Sequence, residues 1–586
     1  MEVLQSFMKR YTFIFLYSSL FASVPYNVAF VGIEEPEIEV SLRKTSELVL
    51  LQKRPPPSTR ALQYRIASDI PNMLRVLEAY GYYDAHIYWE IQKEQQPVLV
   101  EIAISPRFRY TIGPFSLAYV APKDKPEIPL DRWGIRAGKP FRSEEILALP
   151  QKILRFLADH HYPLACVRKT SYALNPQDKT LSGFLEVQSG PKTRFGPLII
   201  EGTKSVHPDF ISRRIAFEEG EWYDERLVAS SQKTLMETGL FSSVFFSHQE
   251  ELEEGELPVH LTLSEAKHKT ISIGLSYATL DGPGGALEWE NRNIGGQGQT
   301  AAFDLNLSSV YSAGSLSYTV PDFFRMQQTY LAQGAFSRED VTVYTARTYA
   351  GLQRVEAQYG KHLFAAQGMG YEYIKIDNSI SNGSYSFVHL NGIARYQRVN
   401  HVLQPTRGFS ILYKLAPYLG VSGNSGSFLE QILTATHYIP LFPKKALVLA
   451  LRAQIGSLAG ASLQSIPFNK RFLGGSDENL RGYRYKTVGP TDEKRDPIGG
   501  KSALYGNIEL RMRVSDQIGL VPFFDLGKVG SDGFPTWRGK WFTSVGIGLR
   551  YFLFFGPIRL DVGFPLRKRD AHQSRYKIYI SIGPTF

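Results

Sequence analysis

The chain has 586 residues, of which 43% are hydrophobic and 13% aromatic, and 66 Lys and Arg stand against 56 Asp and Glu. A single hydrophobic core rarely grows past about 250–300 residues, so this length predicts more than one folded unit. The mean hydropathy of −0.19 excludes a helical membrane protein, and the large aromatic share is typical of a transmembrane barrel, whose strands are apolar on one face only.

The first 24 residues have the features of a signal peptide. Lys9 and Arg10 precede an apolar stretch that runs from Tyr11 to Val24, which is shorter than the roughly 20 residues a membrane-spanning helix needs. We therefore predict a signal peptide at residues 1–24, and an anchor helix lying in the membrane interface is the alternative.

Residues 27–267 repeat one pattern three times: helical spacing, a turn, then strand-like alternation. The clearest copies are "MLRVLEAYGYYDAHIYWEI" (73–91), "KILRFLADHHYPLACVRKTSYAL" (152–174) and "SQKTLMETGLFSSVFFSHQEE" (231–251). We predict three α+β modules, at 27–106, 107–193 and 194–267. They resemble POTRA domains, the periplasmic modules of the outer-membrane protein assembly superfamily. The single cysteine, Cys166, is expected to be a small core residue of the second module.

From residue 268 the hydrophobic period becomes two. Ile271, Ile273, Leu275 and Tyr277 alternate with small polar residues, which places apolar side chains on one face of a strand. At about 20 residues per strand and connection, residues 268–586 predict an antiparallel transmembrane barrel of about 16 strands, and a soluble β-sandwich is the alternative. The opposite face of these strands is predicted to meet water and carries Asp304, Asn306, Glu509, Arg511, Arg513, Arg559 and Asp561.

A polar, glycine-rich segment interrupts the barrel pattern at "RFLGGSDENLRGYRYKTVGP" (471–490). Within it, Leu480-Arg481-Gly482-Tyr483 resembles the Val/Ile-Arg-Gly-Phe/Tyr motif of the superfamily that includes BamA, TamA and the two-partner secretion transporters. In that superfamily the motif lies on a loop folded back into the barrel lumen. The resemblance implies a partner carboxylate in a Phe-x-Asp-x-Gly pattern, which here is Phe523, Asp525 and Gly527.

The residue types of this motif suit a buried anchor. A guanidinium keeps its charge when partly desolvated and offers a fixed fork of donors to a carboxylate, so we expect Arg481 to pair with Asp525 inside the lumen. Gly482 would permit a close backbone approach, and Tyr483 would pack on the wall.

The boundary between the first and last barrel strands, here called the seam, is predicted to be weak. Gly583 favours a kink and Pro584 has no N–H to donate, so the last strand (576–586) should make few hydrogen bonds to the first (269–278). Alternatively, Gly583-Pro584 simply ends the strand, and the terminal Phe586 is the aromatic residue common to many outer-membrane barrels. The seam side chains are Ile271, Ile273, Ile580, Ile582 and Phe586.

Further segments, "YATLDGPGGALEWENRNIGGQGQ", "FFGPIRLDVGFPL" and "YKIYISIGPTF", resemble the TamA branch of the superfamily. That resemblance implies a bacterial outer-membrane protein with periplasmic modules, which helps to insert β-barrel and autotransporter-type proteins. The implied partners are a TamB-like inner-membrane-anchored protein that spans the periplasm, unfolded outer-membrane protein clients, and outer-membrane lipid. A two-partner secretion transporter and a BamA-like general insertase are the alternatives.

Other functional classes find little support in the sequence. It has no Gly-x-Ser-x-Gly, His-Glu-x-x-His, Walker or paired-cysteine motif, so we expect no enzyme activity, cofactor or metal. The positive charge lies in the second half of the chain without a Lys/Arg run or a basic helix, which argues against nucleic acid as a partner.

Overall fold

A computed structural model describes residues 23–586, except for 95, 121–125, 250, 254, 279–281, 378–381, 443–446, 554–555, 571–572 and 583–586. The predicted signal peptide therefore lies almost entirely outside the described residues. By density of contacts the chain divides into two units. The first holds residues up to Glu201, Arg214–Thr234 and Val244–Thr262, and the second holds Gly202–Arg213, Leu235–Ser243 and Leu263–Phe586.

Residues 26–265 form three small mixed sheets with the strand orders β1-β3-β2, β4-β6-β5 and β7-β9-β8. In each sheet the first strand is parallel to the central one. The strands are β1 (Tyr26–Val31), β2 (His86–Gln92), β3 (Val98–Ser105), β4 (Thr111–Tyr119), β5 (Cys166–Asn175), β6 (Thr180–Gln188), β7 (Arg194–Glu201), β8 (Phe241–His248) and β9 (Glu256–Glu265). The helices are α1 (Pro36–Thr45), α2 (Glu47–Leu50), α3 (Thr59–Ala79), α4 (Ser143–Leu147), α5 (Leu149–Ala158), α6 (Pro208–Ser212) and α7 (Glu225–Glu237).

Helix α3 illustrates how the sequence builds these modules. Ser58 caps its first turn by accepting a hydrogen bond from the backbone N–H of Ala61 at 3.2 Å. Its buried side chains recur at helical spacing, so one face packs on the sheet. The buried Asp69 on the same face accepts hydrogen bonds from Ser46 Oγ at 2.6 Å and from the N–H of Leu48 at 3.0 Å. The start of α2 is thereby fixed to α3.

Two glycines occupy equivalent positions in the first and third modules. Gly32 and Gly202 follow the opening strands and have φ angles of +88° and +85°. A Cβ would lie 2.2 Å from the carbonyl oxygen of Ile104 in the first case and 2.0 Å from that of Leu263 in the second. Both the left-handed conformation and the close approach therefore require glycine.

Residues 269–582 form a 16-stranded sheet in which every strand pairs with its sequence neighbours and all pairings are antiparallel. This confirms the predicted fold class and strand number. No helix within the described parts of the chain combines the length and apolarity needed to cross a bilayer. The strands are β10 (Lys269–Ala278), β11 (Gly282–Asn291), β12 (Thr300–Ser308), β13 (Tyr311–Pro321), β14 (Gln328–Val341), β15 (Tyr344–Tyr359), β16 (Leu363–Asp377), β17 (Gly383–Val399), β18 (Gly408–Gly423), β19 (Phe428–Phe442), β20 (Leu447–Ala459), β21 (Ser502–Arg513), β22 (Ile518–Gly530), β23 (Phe542–Leu553), β24 (Gly556–Pro565) and β25 (Lys577–Ile582).

Two expectations about exposure were wrong. Glu509, Asp561 and Arg559 were expected to meet water on the lumenal face, yet they are 0%, 1% and 6% exposed. A long loop packs against the two carboxylates, and Arg559 lies 3.4 Å from Asp561. Cys166 was expected in a core, but it lies exposed at the start of β5, an edge strand of the second sheet.

Within the second unit, the β11–β12 turn of the barrel sheet contacts residues 205 and 207. The side-chain amide of Asn293 donates to the carbonyl oxygen of Ser205 at 3.1 Å, and the N–H of His207 donates to the carbonyl oxygen of Gly296 at 2.8 Å. The Glu265 carboxylate accepts hydrogen bonds from the N–H groups of residues 204, 205 and 206 and from Ser205 Oγ. These contacts form one polar junction between the end of β9 and the β11–β12 turn.

Candidate functional site

The β20–β21 connection, residues 460–501, carries the predicted arginine motif. Leu480, Arg481 and Tyr483 are each 0% exposed, so this loop is packed inside the barrel wall. Gly482 has a φ of +89°, and a Cβ there would lie 3.1 Å from the backbone of Gly563 on β24. The close backbone approach predicted for Gly482 is present.

Arg481 and Asp525 lie in direct contact. Nε and Nη2 of Arg481 donate to the two carboxylate oxygens of Asp525 at 2.8 Å each, and the backbone N–H of Arg481 donates to Oδ2 at 3.1 Å. The ring of Phe523 lies under the guanidinium at 3.4 Å. Gly527 is the glycine of the predicted Phe-x-Asp-x-Gly pattern. A Cβ at this position would lie 2.9 Å from the Tyr505 ring and 3.4 Å from Leu480, so a side chain would crowd the packed loop.

Two further carboxylates contact the same guanidinium. Nη1 of Arg481 lies 2.9 Å from Glu509 Oε1 and 3.3 Å from Asp561 Oδ2. Both were predicted on the inner face, but nothing in the sequence pattern connected them with Arg481. Their charges are balanced in turn by arginines on the wall, at distances of 3.0 Å (Arg511 to Glu509) and 3.2–3.4 Å (Arg550 and Arg559 to Asp561).

The motif also binds the last strand, which the sequence reasoning missed. The N–H of Gly482 donates to the hydroxyl oxygen of Tyr579 on β25 at 2.9 Å, and that hydroxyl lies 3.3 Å from the carbonyl oxygen of Tyr483. Tyr579 is 4% exposed. The alternation of Ile578 and Ile580 with Tyr579 was the available signal, because it places Tyr579 on the inner face.

Tyr483 contacts the barrel wall on the other side of the motif. Its hydroxyl lies 2.8 and 2.9 Å from the carbonyl oxygens of Arg567 and Thr543, either of which can accept a hydrogen bond from it. Its ring meets Phe542 edge-on with centroids 5.7 Å apart. Tyr483 thus packs on the wall, as expected.

Two lysines of the same loop reach strands on a different part of the wall. Lys470 Nζ lies 2.7 Å from a Glu372 carboxylate oxygen and 3.0 Å from the Tyr418 hydroxyl. Lys486 contacts Glu339 and donates to the Tyr344 hydroxyl at 2.7 Å. The loop therefore contacts β14–β18 as well as β21–β25.

The seam differs from every other strand boundary of the sheet. Cα atoms of β10 and β25 come within 8 Å of one another, yet among the described residues no backbone pairing joins the two strands. Ile271, Ile273 and Ile580 point outward and are 68%, 80% and 38% exposed. The side chain of Ile582, and all of Gly583, Pro584 and Phe586, lie outside the described residues, so their predicted roles stay predictions.

Comparison with known families identifies this combination of modules, sheet and loop. The Omp85 superfamily domain matches residues 293–586, half of the chain. The chain belongs to the Omp85 superfamily. The POTRA family, described as a surface antigen variable number repeat, matches residues 193–266. The resemblance on which the sequence prediction rested is confirmed at the level of a BamA/TamA-type Omp85 protein.

Curated relatives of this Omp85 chain include two outer membrane protein assembly factors named BamA. The protein from Nitratidesulfovibrio vulgaris is 22% identical over 86% of this chain and 66% of its own length. The protein from Neisseria meningitidis is 21% identical over 90% of this chain and 74% of its own length. Among solved structures, BamA from Haemophilus ducreyi lacking POTRA domains 1–3 superposes with a TM-score of 0.69 at 18% identity, covering 81% of this chain and all of that one. That likeness shows the shared fold.

The Omp85 barrel lies in the bacterial outer membrane and the POTRA modules lie in the periplasm, as the sequence predicted. The barrel end at which β10 begins is therefore the periplasmic end. Since β20 runs away from that end, loop 460–501 begins on the extracellular side and folds inward.

Proposed function

We propose that this Omp85 protein is an outer-membrane assembly factor that helps to insert β-barrel and autotransporter-type proteins. The observation that carries the proposal is the seam, because β10 and β25 are neighbours without a backbone ladder among the described residues. A strand with unpaired N–H and C=O groups is a template for another strand. A client strand could therefore add to β10 while its apolar side chains meet lipid.

The arginine loop would set how far the seam opens. Tyr579 on β25 is held by the loop backbone, and Asp561 on the adjacent β24 is held by Arg481. The loop thereby fixes the last two strands from the lumenal side. A displaced loop would remove both of these contacts, while the ladder of β25 to β24 would remain.

The POTRA modules would bind partners through their sheet edges. β2 and β5 are edge strands of their three-stranded sheets, and Tyr88 on β2 is 61% exposed. Edge strands accept an added strand from another chain. We propose that unfolded clients and a TamB-like inner-membrane-anchored protein dock in this way.

The test of lateral insertion is a disulfide across the seam. One cysteine on β10 (residues 271–275) and one on β25 (578–580) are introduced in a Cys166→Ser background, and insertion of an unfolded client barrel into proteoliposomes is measured. We expect oxidation to stop insertion and reductant to restore it. The control pair, Phe303→Cys with Leu316→Cys, joins directly opposed residues of β12 and β13 and should leave insertion intact. Full activity of the seam-locked protein would remove lateral insertion from the mechanism.

A general insertase of the BamA type is the second candidate, supported by the curated relatives of that name. A cross-linked pull-down from outer membranes separates the candidates. A very long inner-membrane-anchored partner supports the TamA-type role, and outer-membrane lipoproteins support the BamA-type role. A single exported polypeptide would instead indicate a secretion transporter and contradict both.

A further inference from the structure

Three cations lie side by side on the outer face of the barrel near its extracellular end. Arg338 on β14 is directly opposite Arg347 on β15, which is directly opposite Lys375 on β16. The lumenal neighbours Ile374 and Ile376 are buried, whereas the side chains of Arg338 and Arg347 are 52% and 41% exposed, so the row of cations faces outward.

This row carries more positive than negative charge. Asp340 and Asp377, one step nearer the extracellular end, lie 3.0 Å from Arg338 and 3.7 Å from Arg347. Across the described residues Lys375 is in no ion pair. Like charges directly opposite one another destabilise a sheet, so three adjacent cations favour a bound anion between them.

Hydroxyl groups extend the row on both sides. Ser312 on β13 is opposite Arg338, and Ser384 on β17 is opposite Lys375. A line of three cations flanked by hydroxyls matches the oxygen-rich, multiply charged surface of a phosphate group.

An aromatic row marks the depth of these cations in the membrane. One step toward the membrane centre, Phe336, Tyr349 and Tyr373 occupy the same three strands, with centroid distances of 5.0 and 6.3 Å between neighbours. Aromatic girdles of outer-membrane barrels lie at the boundary between hydrocarbon and headgroups. The cations beyond this row therefore lie at headgroup level.

An apolar depression lies on the same strands, deeper in the membrane. Gly334 and Gly351 are directly opposite one another, and a Cβ on either would meet nothing within 4 Å. The depression has a volume of about 570 Å³ and is bordered by Leu316, Met369 and Tyr371. At about 3.4 Å per residue, the glycine pair lies about 14 Å from the cations along the strands, which suits the start of an acyl chain whose headgroup is on the row.

We propose that the outer face of β14–β16 binds a lipid of the outer leaflet that carries an accessible phosphate. The phosphate lies on Arg338, Arg347 and Lys375, and an acyl chain lies in the depression over Gly334 and Gly351. The cations, the aromatic row and the depression share three strands and follow one another in the order that headgroup, interface and chain require.

The test measures lipid binding to the purified full-length protein in detergent by native mass spectrometry. The probes are dioleoyl phosphatidic acid, dioleoylglycerol, which lacks the phosphate, and dihexanoyl phosphatidic acid, which lacks the long chains. We expect the protein to bind the dioleoyl phosphatidic acid best. The triple variant Arg338→Gln/Lys375→Gln/Arg347→Gln should lose about tenfold or more in affinity, since charged hydrogen bonds are removed.

Matched variants separate the parts of the site. Arg325→Gln/Lys361→Gln/Arg398→Gln removes three exposed cations at the opposite end of the barrel and should bind as the unmodified protein does. Gly334→Leu should weaken binding of the long-chain probe and leave the short-chain probe unchanged. Unchanged gel mobility of the unheated protein checks folding of each variant.

Three outcomes would overturn the proposal. The first is equal affinity of the unmodified protein and the outer-face triple variant for dioleoyl phosphatidic acid. The second is equal affinity of the protein for dioleoylglycerol. The third is complete displacement of the lipid by inorganic phosphate at the same concentration, which would make the row a site for soluble phosphate.

Discussion

Arg481 is the loop residue whose single buried charge contacts three carboxylates of the barrel wall. Its guanidinium is 1% exposed and contacts Asp525, Glu509 and Asp561, which belong to three different strands. A buried charge whose partner is removed costs about 3–5 kcal/mol, whereas the intact pair contributes little net stability. The arrangement therefore fixes where the loop lies more than it adds to the free energy of unfolding.

Asp525→Ala should destabilise the barrel by about 1–3 kcal/mol, because buried donors of Arg481 and Asn507 lose their acceptor while the two other carboxylates still balance the guanidinium charge. Urea unfolding in lipid vesicles measures the change. Arg481→Ala should also impair client insertion, and the double variant should be little worse than either single variant, because the two residues act as one unit. Asp532→Ala, in the exposed β22–β23 connection, is the control. Normal stability and insertion with both substitutions would contradict the role of the pair.

Tyr579→Phe should loosen the last strand without creating a cavity. The substitution leaves the buried N–H of Gly482 without its acceptor, which costs about 1–3 kcal/mol. Hydrogen exchange of the amides of β25 should speed up as a result. Tyr576→Phe, at an exposed ring just before that strand, should have no such effect. Equal exchange in both variants would show that the hydroxyl does not hold β25.

At the scale of elements, the junction between β9 and the β11–β12 turn depends on one carboxylate. Burial alone would raise the pKa of Glu265, but hydrogen bonds from Ser205 Oγ and from the N–H groups of residues 204–206 lower the pKa to about 2. A lowered pKa in the folded state means that the contact stabilises the junction above the ordinary value of 4.5 and is lost as the pH falls toward 2.

Hydrogen exchange at residues 204–206 tests this pH dependence. Relative to the intrinsic exchange rate, protection should be constant above pH 4.5 and fall progressively as the pH approaches 2. In Glu265→Gln the protection should be lower throughout and should not change over that range. A protection profile of the unmodified protein that stays flat down to pH 2 would contradict the assignment.

The barrel strands and the arginine–aspartate pair could be predicted from the sequence. Period-two alternation identified the strands because each strand faces lipid on one side only. The pairing of Arg481 with Asp525 followed from the resemblance to the superfamily motif. Glu509, Asp561 and Tyr579 could not be assigned as partners, because only the tertiary packing of the loop decides which inward side chains it meets. For the same reason the expectation that Glu509 faces water failed.

At the scale of the whole molecule, the loop 460–501 links two groups of strands that are distant in the sequence of the barrel wall. Arg481 holds it to β21, β22 and β24, while Lys470 and Lys486 hold it to β14, β15, β16 and β18. Loop residues therefore contact both groups of strands from the lumenal side.

Lys470→Met/Lys486→Met should release the loop from one group of strands and raise the conductance of the barrel in planar bilayers. Lys501→Met, at the end of the same loop, removes a lysine whose Nζ has one hydrogen-bond partner among the residues that the structure describes, the carbonyl oxygen of Ala461 at 3.2 Å, and should leave conductance low. The same low conductance in the double variant would mean that Arg481 alone keeps the loop in place.

The exposed thiol of Cys166 gives this large membrane protein a single natural labelling position. It lies at the start of β5, on the open edge of the second POTRA sheet, 3.9 Å from the side-chain amide oxygen of Gln188. An environment-sensitive fluorophore attached there would sit in water in the free protein. A client strand that adds to β5 would cover the dye and shift its emission to the blue, so that binding could be followed in real time without altering any other residue.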